Sequence, residues 1–176
     1  MTRAGRATRV AGVVLAGGRS SRFGGDKLHA EVAGVPILHR AVARVGEVVD
    51  AVIVVVPPGA DPADLPAGTR IAHDEAPFEG PLAGLLAGLR AAGDAPRALA
   101  VGGDMPSLRP AVLAAMLAAL EPPGTSAVVL HDGERRRPLP LAVRTGPALG
   151  AAGELLGSGE RRLRRLLDEL DAAVLP

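Results

Sequence analysis

Several residue types are scarce or missing in this chain of 176 residues, and their absence narrows its possible functions. There is no cysteine, which excludes disulfide bonds and cysteine-ligated zinc, and nothing points to an oxidising compartment. Tryptophan and tyrosine are absent as well, and Phe23 and Phe78 are the only phenylalanines. Proteins usually bind single-stranded nucleic acid by stacking its bases on aromatic rings, so we expect no nucleic-acid partner. A formal net charge of +1 also argues against a general polyanion-binding protein.

Long apolar runs and paired histidines are lacking too. No apolar run approaches the roughly 20 residues that a membrane-spanning helix requires, so we expect no membrane partner. The four histidines lie far apart in the sequence, which disfavours a zinc or iron site. Residues 1–9 carry three arginines but no apolar stretch followed by a cleavage site, as a secretory signal would. We therefore expect a disordered tail over residues 1–9, a single domain over residues 10–176 and a cytoplasmic location.

Strand-like and helix-like segments alternate along the chain, a pattern typical of a largely parallel sheet covered by helices on both faces. Apolar runs predict strands at residues 10–16, 51–56, 69–73, 98–101, 126–130, 138–143 and 172–175, with the sixth at an edge because of its prolines. Helical spacing predicts a helix from Pro36 to Val45, one beginning at Pro81, one N-capped by Ser107 and one N-capped by Ser158. The predicted fold class is α/β, a three-layer α/β/α sandwich with a mostly parallel central sheet.

Polar or glycine-rich segments follow three of the predicted strands. A glycine-rich loop comes after the first strand, Asp74 after the third, and Gly102-Gly103-Asp104 after the fourth. In an open α/β sheet, ligands bind beyond the carboxyl ends of the strands. We therefore expect these three segments to converge on one binding site.

The glycine-rich loop runs from Leu15 to Lys27 and reads LAGGRSSRFGGDK. Gly17 and Gly18 let the backbone approach a ligand and present successive N–H groups to an anion. Arg22 and Lys27 add a guanidinium and an ammonium group, the two cations that proteins use on phosphates. The spacing matches neither the P-loop nor the GxGxxG dinucleotide loop. A plain flexible turn is the alternative, although a turn needs neither this length nor these cations.

Asp104 is the candidate ligand for Mg²⁺, which prefers carboxylate and phosphate oxygens. Two glycines precede it and would allow a ligand to approach. The alternative is that Asp104 only caps a helix starting near Leu108, a role that Ser107 fits better. The sequence therefore favours metal binding at Asp104.

Two further segments have a functional and a structural interpretation. Asp74 either binds the base or sugar of a nucleotide or only orders the loop that follows it. Gly80, Pro81 and Leu82 begin a helix whose backbone amides can face a base or an anion, and a simple helix start is the alternative. We treat all four residues as candidate nucleotide-binding residues.

The order LAGGxSxRxGxxK after a first strand resembles the nucleotidylyltransferase superfamily, which implies a Rossmann-like fold and transfer of a nucleoside monophosphate from a triphosphate to a phosphate acceptor. Four later segments make the resemblance to molybdenum cofactor guanylyltransferases more specific. They read GPLAG from Gly80, GDMP from Gly103, HDGER from His131 and GERR from Gly159. The resemblance covers about residues 13 to 170 and implies transfer of GMP from GTP to molybdopterin, with pyrophosphate as the second product.

The resemblance also implies roles for individual residues. Asp104 would bind both the nucleotide and Mg²⁺, and the other residues in contact with GTP would be Leu15, Ala16, Gly17, Lys27 and Asp74. Arg22, Lys27 and Asp104 are the candidate catalytic residues, because charge accumulates as an acceptor oxygen attacks the α-phosphorus. Transient contacts with other proteins of molybdenum cofactor biosynthesis, or with proteins that accept the cofactor, are also expected.

The chain departs from the family pattern in two places. Its second strand ends in Val-Val-Pro-Pro from Val55, where the family often has an asparagine that contacts the nucleotide. The sequence stops at Pro176, before the Asn-x-Asn-Thr-Pro segment that the family associates with the pterin. We therefore expect acceptor binding to be weakened, altered or supplied by another chain.

Some interpretations stay open at this point. The run Arg135-Arg136-Arg137 either holds the phosphate of the acceptor or forms a solvated surface, as runs of like charge usually do. A cytidylyltransferase or sugar-phosphate nucleotidylyltransferase of the same fold is the alternative enzyme. A GTP-binding module with impaired acceptor chemistry is the alternative outside catalysis.

Overall fold

A seven-stranded sheet runs through the centre of the molecule, whose computed structural model describes residues 9–17, 31–32, 34–62, 64–75, 80–105 and 107–175. In chain order the strands are β1 (Val10–Leu15), β2 (Glu31–Val32), β3 (Val35–Pro36), β4 (Ala51–Val56), β5 (Arg70–His73), β6 (Arg97–Gly102), β7 (Ala127–His131), β8 (Arg136–Arg144) and β9 (Ala173–Leu175). The order of strands in the large sheet is β5-β4-β1-β6-β8-β7-β9, and β2 and β3 form a separate antiparallel pair. In the large sheet β8 is antiparallel to both neighbours and all other pairs are parallel. The predicted mostly parallel sheet is confirmed.

Helices cover both faces of this sheet. They are α1 (Ile37–Gly46), α2 (Pro81–Ala91), α3 (Pro110–Ala119), α4 (Thr145–Gly157) and α5 (Leu163–Glu169). The apolar residues of α1 and α3 pack with one set of strand side chains, and those of α2, α4 and α5 pack with the opposite set. This arrangement confirms the predicted α/β/α sandwich.

The central strands form where the sequence predicted them, because they are apolar on both faces. All six residues of β1 are buried, and so are the last five of β4. Two glycines bring helices close to these strands. A Cβ on Gly12 would lie 2.4 Å from Val45 Cγ1 of α1, and one on Gly88 of α2 would lie 2.3 Å from Val13 Cγ1. Helices α1 and α2 therefore pack against the sheet at distances that only glycine permits.

The position of β8 corrects one prediction. Its prolines indicated an edge strand, yet β8 lies between β6 and β7. Pairing with β6 begins at Leu141, beyond Pro138 and Pro140. The register with β7 shifts between Val129 and Leu130, opposite the same part of β8. The missing proline N–H groups therefore fall where the ladder is already interrupted.

The sequence near Ser158 gives a second correction. Ser158 does not N-cap the last helix, because it is the C-terminal cap of α4, a helix that was not predicted. Its hydroxyl donates to the carbonyl of Leu155 at 2.8 Å. The last helix begins later, at Leu163. Four glycines within α4 conceal the helical pattern in its sequence.

Other expectations concern parts of the chain that the structure covers incompletely. Apart from Arg9, the predicted tail lies outside the described residues, so both the tail and the domain boundary stay predictions. None of the helices in the described ranges is both long enough and apolar enough to cross a bilayer.

Candidate active site

The carboxyl ends of four parallel strands bring the predicted site segments to one edge of the sheet. Leu15 at the end of β1 pairs with Val55 of β4 on one side and with Gly102 of β6 on the other. The residues that follow these strands continue the hydrogen bonding. Ala16 donates to the carbonyl of Val55 at 2.8 Å, and Gly103 donates to the carbonyl of Leu15 at 2.9 Å. The start of the glycine-rich loop and the turn containing Asp104 are therefore neighbours.

Only the first part of the glycine-rich loop belongs to the described residues. Ala16 is buried, whereas Gly17 is exposed at the edge of the sheet. A Cβ on Gly17 would lie 3.6 Å from Cδ of Pro57, so this proline occupies the place beside Gly17. Gly18, Arg22 and Lys27 lie outside the described residues, and their roles stay predictions.

Asp74 follows β5 and lines a narrow pocket at this edge. Its backbone N–H donates to the carbonyl of Val56 at 2.9 Å, which ties it to the end of β4. Its Oδ1 accepts the backbone N–H of Glu75 at 3.1 Å, and its Oδ2 would lie 3.7 Å from a Cβ on Gly84. The half-buried carboxylate therefore faces the first turns of α2.

The pocket brings together most of the residues predicted to bind a nucleotide on this side. It is lined by Leu15, Gly17, Val55, Val56, Asp74, Gly80, Pro81 and Gly84. The side chain of Leu82 is fully buried in the core, so only its backbone is available to a ligand. Val55 and Val56 had no predicted ligand-binding role, and their only signal was the end of a predicted strand. Gly84 is the last residue of the predicted helix entrance GPLAG, one helical turn after Gly80.

Asp104 is exposed in the turn that follows β6. A Cβ on Gly102 would lie 2.8 Å from Oδ1 of Asp104 and 3.3 Å from Cγ of Met105. The carboxylate can therefore occupy its position only because residue 102 has no side chain. The amide of Gly102 also donates to Sδ of Met105 at 3.3 Å. Asp104 does not cap α3, because that helix begins at Pro110 with Arg109 as its cap residue. The capping interpretation of Asp104 is therefore wrong.

Ser107 does not cap α3 either. The cap position belongs to Arg109, and no side chain there bonds to the free amides of the first turn. Pro110 occupies the first helical position, where its missing N–H costs nothing. Helix α3 therefore begins at Pro110, later than the predicted start near Leu108.

The connection between β7 and β8 lies at the same edge, because β7 is parallel to β6 through β8 and ends there. Arg137 forms an ion pair with Asp132 (2.5 Å), and Arg136 forms one with Asp168 (2.6 Å). Backbone N–H groups of Arg135 and Glu134, assisted by the charge of Arg137, lower the pKa of Asp132 to about 2. Two of the three arginines in this run are therefore already paired.

The described residues contain no group of three or more histidine, aspartate or glutamate side chains that could hold a metal ion. Asp104 therefore belongs to no such group among the described residues. Such a residue can bind a metal that brings other ligands with it, but it cannot build a complete metal site alone.

Comparisons with known proteins agree with this architecture. The chain is 38% identical over 164 residues to the probable molybdenum cofactor guanylyltransferase of Chloroflexus aggregans. The aligned region covers 88% of this chain and 74% of that protein. It is similar to the crystal structure of Rv0371c from Mycobacterium tuberculosis H37Rv, with 23% identity, a TM-score of 0.76 and coverage of 97% and 88% of the two chains.

A second crystal structure is that of molybdopterin-guanine dinucleotide biosynthesis protein A from Archaeoglobus fulgidus. It is 19% identical, with a TM-score of 0.73 and coverage of 94% of this chain and 83% of the other. Both structural likenesses confirm the fold. The family described as MobA-like NTP transferase domain matches residues 12–174. The resemblance found in the sequence is therefore confirmed: the chain belongs to the MobA-like NTP transferase family and is a nucleotidyltransferase.

Proposed function

We propose that this protein transfers GMP from GTP to the terminal phosphate of molybdopterin and releases pyrophosphate. The name of the relative from Chloroflexus aggregans, probable molybdenum cofactor guanylyltransferase, supports this activity. The observation that carries the proposal is the arrangement along the sheet edge. The pocket at Asp74 and the carboxylate of Asp104 lie on opposite sides of Gly17, at the start of the glycine-rich loop.

The distance across this edge suits an extended donor. Asp74 follows β5 and Asp104 follows β6, and three strand spacings separate these two strands. At the usual spacing between strands they are about 14 Å apart. We infer that the nucleoside end of GTP lies against the residues around the narrow pocket at Asp74 and that its triphosphate crosses Gly17 toward Asp104.

Asp104 is the residue that would hold Mg²⁺ in this arrangement. Mg²⁺ is usually bound by one or two carboxylates together with phosphate oxygens and water. A single exposed carboxylate therefore fits an ion that arrives with the triphosphate. The bound ion would supply positive charge that stabilises the phosphates during transfer.

The reaction itself requires positioning more than covalent chemistry. An oxygen of the acceptor phosphate forms a bond to the α-phosphorus, and the bond from that phosphorus to the bridging oxygen of pyrophosphate breaks. The backbone at Gly17 would hold the donor phosphates, and the cations Arg22 and Lys27 are proposed to stabilise the developing negative charge. No covalent intermediate on the protein is required.

The acceptor is assigned to the side of Asp104 away from Asp74. A cavity of about 430 Å³ opens there between α3, the end of β7 and the middle of β8, and its largely apolar lining comprises Met105, Ser107, Leu108, Arg109, Val112, Leu113, Leu130 and Pro140. The neighbouring run from Arg135 to Arg137 lies at the same edge. Within the described part of the chain, the side chain of Arg135 has no ion-pair partner, so it is the arginine of this run best suited to an acceptor phosphate.

The test measures pyrophosphate release from GTP in the presence of purified molybdopterin and Mg²⁺. Asp104→Asn keeps the shape of the side chain but removes its charge, and we expect turnover to fall roughly 10²–10³-fold, as when an electrostatic contact to the transition state is lost. Asp94→Asn is the matched control. Asp94 is exposed in the turn between α2 and β6, at the opposite end of β6, so this variant should keep normal turnover.

Three results would contradict the proposal. Turnover of Asp104→Asn close to that of the wild-type protein would remove this carboxylate from the site. Pyrophosphate release from CTP in place of GTP would favour the cytidylyltransferase alternative. Binding of GTP with Mg²⁺ but no pyrophosphate release would favour a GTP-binding module.

The finer expectations follow from the same proposal. A nucleoside triphosphate donor favours a cytoplasmic location. Transfer of a cofactor favours transient contacts with proteins that supply or receive it. The single domain over residues 10–176 also stays a prediction.

A further inference from the structure

A short connection between α4 and α5 packs against the first turn of α2, at the pocket beside Asp74. We call this connection, residues 158–162, the support loop. A Cβ on Gly80 would lie 3.1 Å from the carbonyl oxygen of Arg161 and 3.5 Å from its Cβ. Gly80 has a φ of +92° and is the cap residue of α2. The support loop therefore contacts the backbone that forms one wall of the pocket.

The carboxylate of Glu160 fixes the shape of the support loop. Its Oε1 accepts the backbone N–H groups of Arg161 and Arg162, each at 2.9 Å, and the Nε of Arg162 at 3.0 Å. Its Oε2 accepts Nη2 of Arg162 at 3.0 Å and lies 3.9 Å from Nε of Arg165. The side chain of Glu160 is only 17% exposed. One carboxylate thus holds two successive backbone amides and two side chains.

The support loop is also anchored to the end of α4. The backbone N–H of Glu160 donates to the carbonyl of Leu155 at 2.9 Å, and Nη1 of Arg161 donates to the carbonyl of Leu156 at 3.1 Å. Gly159, with a φ of +88°, makes the reversal that these bonds require. The loop is consequently held at its start by α4 and in its second half by Glu160.

We propose that Glu160 is a positioning residue of the nucleotide site: by fixing the support loop it sets the position of Gly80 and of the first turn of α2. This inference rests on the proposed function, because the pocket must bind the nucleotide for its shape to matter. Hydrogen bonds from the side chain and backbone of Arg162 lower the pKa of Glu160 to about 2, so the carboxylate is ionised at neutral pH. The effect reaches the ligand through Gly80, since Glu160 itself does not line the pocket.

Calorimetric titration with GTP and Mg²⁺, together with steady-state kinetics, tests this role. For Glu160→Ala we expect Kd and KM for GTP to rise roughly tenfold, with kcat within about twofold, because misplacement of a binding group by a fraction of an ångström has effects of this order. Glu160→Gln retains one oxygen that can accept the two backbone amides, so its effect should be smaller. Glu154→Gln is the control, since Glu154 is exposed on α4 and should leave binding unchanged.

The outcomes separate this inference from the proposed function. If the wild-type protein binds no GTP, the proposed function fails and the inference fails with it. If the wild-type protein binds GTP and Glu160→Ala binds it equally well, only the inference is overturned, even if the melting temperature falls. A fall in kcat with unchanged KM overturns it as well. If Glu160→Ala does not fold, Glu160→Gln and Gly80→Ala decide, and wild-type Kd values in both would refute the role.

Discussion

Substitution of Gly102 by alanine tests whether the placement of Asp104 controls the reaction. Gly102 is the last residue of β6, and its φ is not in the left-handed region, so alanine causes no backbone strain there. The added Cβ would lie 2.8 Å from Oδ1 of Asp104. Ordinary contact for a Cβ begins at 3.4 Å, so the carboxylate has to move by about 0.6 Å (3.4 minus 2.8 Å).

This displacement should impair catalysis more than stability. A misplacement of 1 Å can reduce a rate about 10²-fold, so we expect kcat/KM to fall about tenfold in Gly102→Ala. The free energy of unfolding should fall by only about 1 kcal/mol, the low end of the cost of overpacking, because an exposed side chain can yield. If Asp104 holds Mg²⁺, the concentration of Mg²⁺ needed for half-maximal activity should also rise.

The assay is pyrophosphate release from GTP across a series of Mg²⁺ concentrations. Gly153→Ala is the control, because Gly153 lies within α4 and an added Cβ meets nothing within 4 Å. It should keep wild-type kinetics and gain up to about 1 kcal/mol in stability from the helix propensity of alanine. Wild-type kcat/KM and Mg²⁺ dependence in Gly102→Ala would refute the reasoning about Asp104.

Two further predictions concern stability. Gly88→Ala places a Cβ 2.3 Å from Cγ1 of the fully buried Val13. The midpoint of urea unfolding should therefore fall to a lower urea concentration, by the equivalent of about 2 kcal/mol in the free energy of unfolding. An unchanged midpoint would contradict the packing of α2 on β1. The pKa of Asp132 is lowered from 3.8 to about 2, so its stabilising contribution is present above pH 3.8 and is lost as the pH falls toward 2. Asp132→Asn should therefore show a smaller decrease in melting temperature between pH 4 and 2 than the wild-type protein, and an equal decrease would argue against this role of Asp132.

The sequence predicted the fold well where the chain is apolar on both faces. Strand β4 has the predicted bounds, and β1 ends one residue earlier than predicted, because a continuous apolar run between polar segments has few other ways to be buried. The sequence did not predict α4, because its four glycines lower the helix propensity. Packing against α2 and α5 compensates for this low propensity in the structure. The sequence also predicted the wrong place for β8, because a local register shift accommodates the prolines.

The candidate site could be predicted only as far as strand ends determine it. The expectation that the start of the glycine-rich loop, Asp74 and Asp104 share one edge followed from parallel strands, and the hydrogen bonds at Ala16, Gly103 and Asp74 bear it out. The contact between Gly80 and Arg161 had no such signal, because it joins residues far apart in the sequence. It depends on how α2, α4 and α5 pack together, which no local pattern encodes.

The order of the strands also separates the two halves of the proposed reaction. The pocket at Asp74 is lined by residues of β4, β1 and α2 and of the turn after β5. The cavity assigned to the acceptor is lined mainly by α3 and the segment before it, with one residue each from β7 and β8. Asp104 follows β6, which lies between these two groups of strands. Because the two regions share no lining residue in the described part of the chain, donor and acceptor affinities should respond to different substitutions. In the proposed arrangement Asp104 lies between donor and acceptor, so its loss should affect the transfer itself.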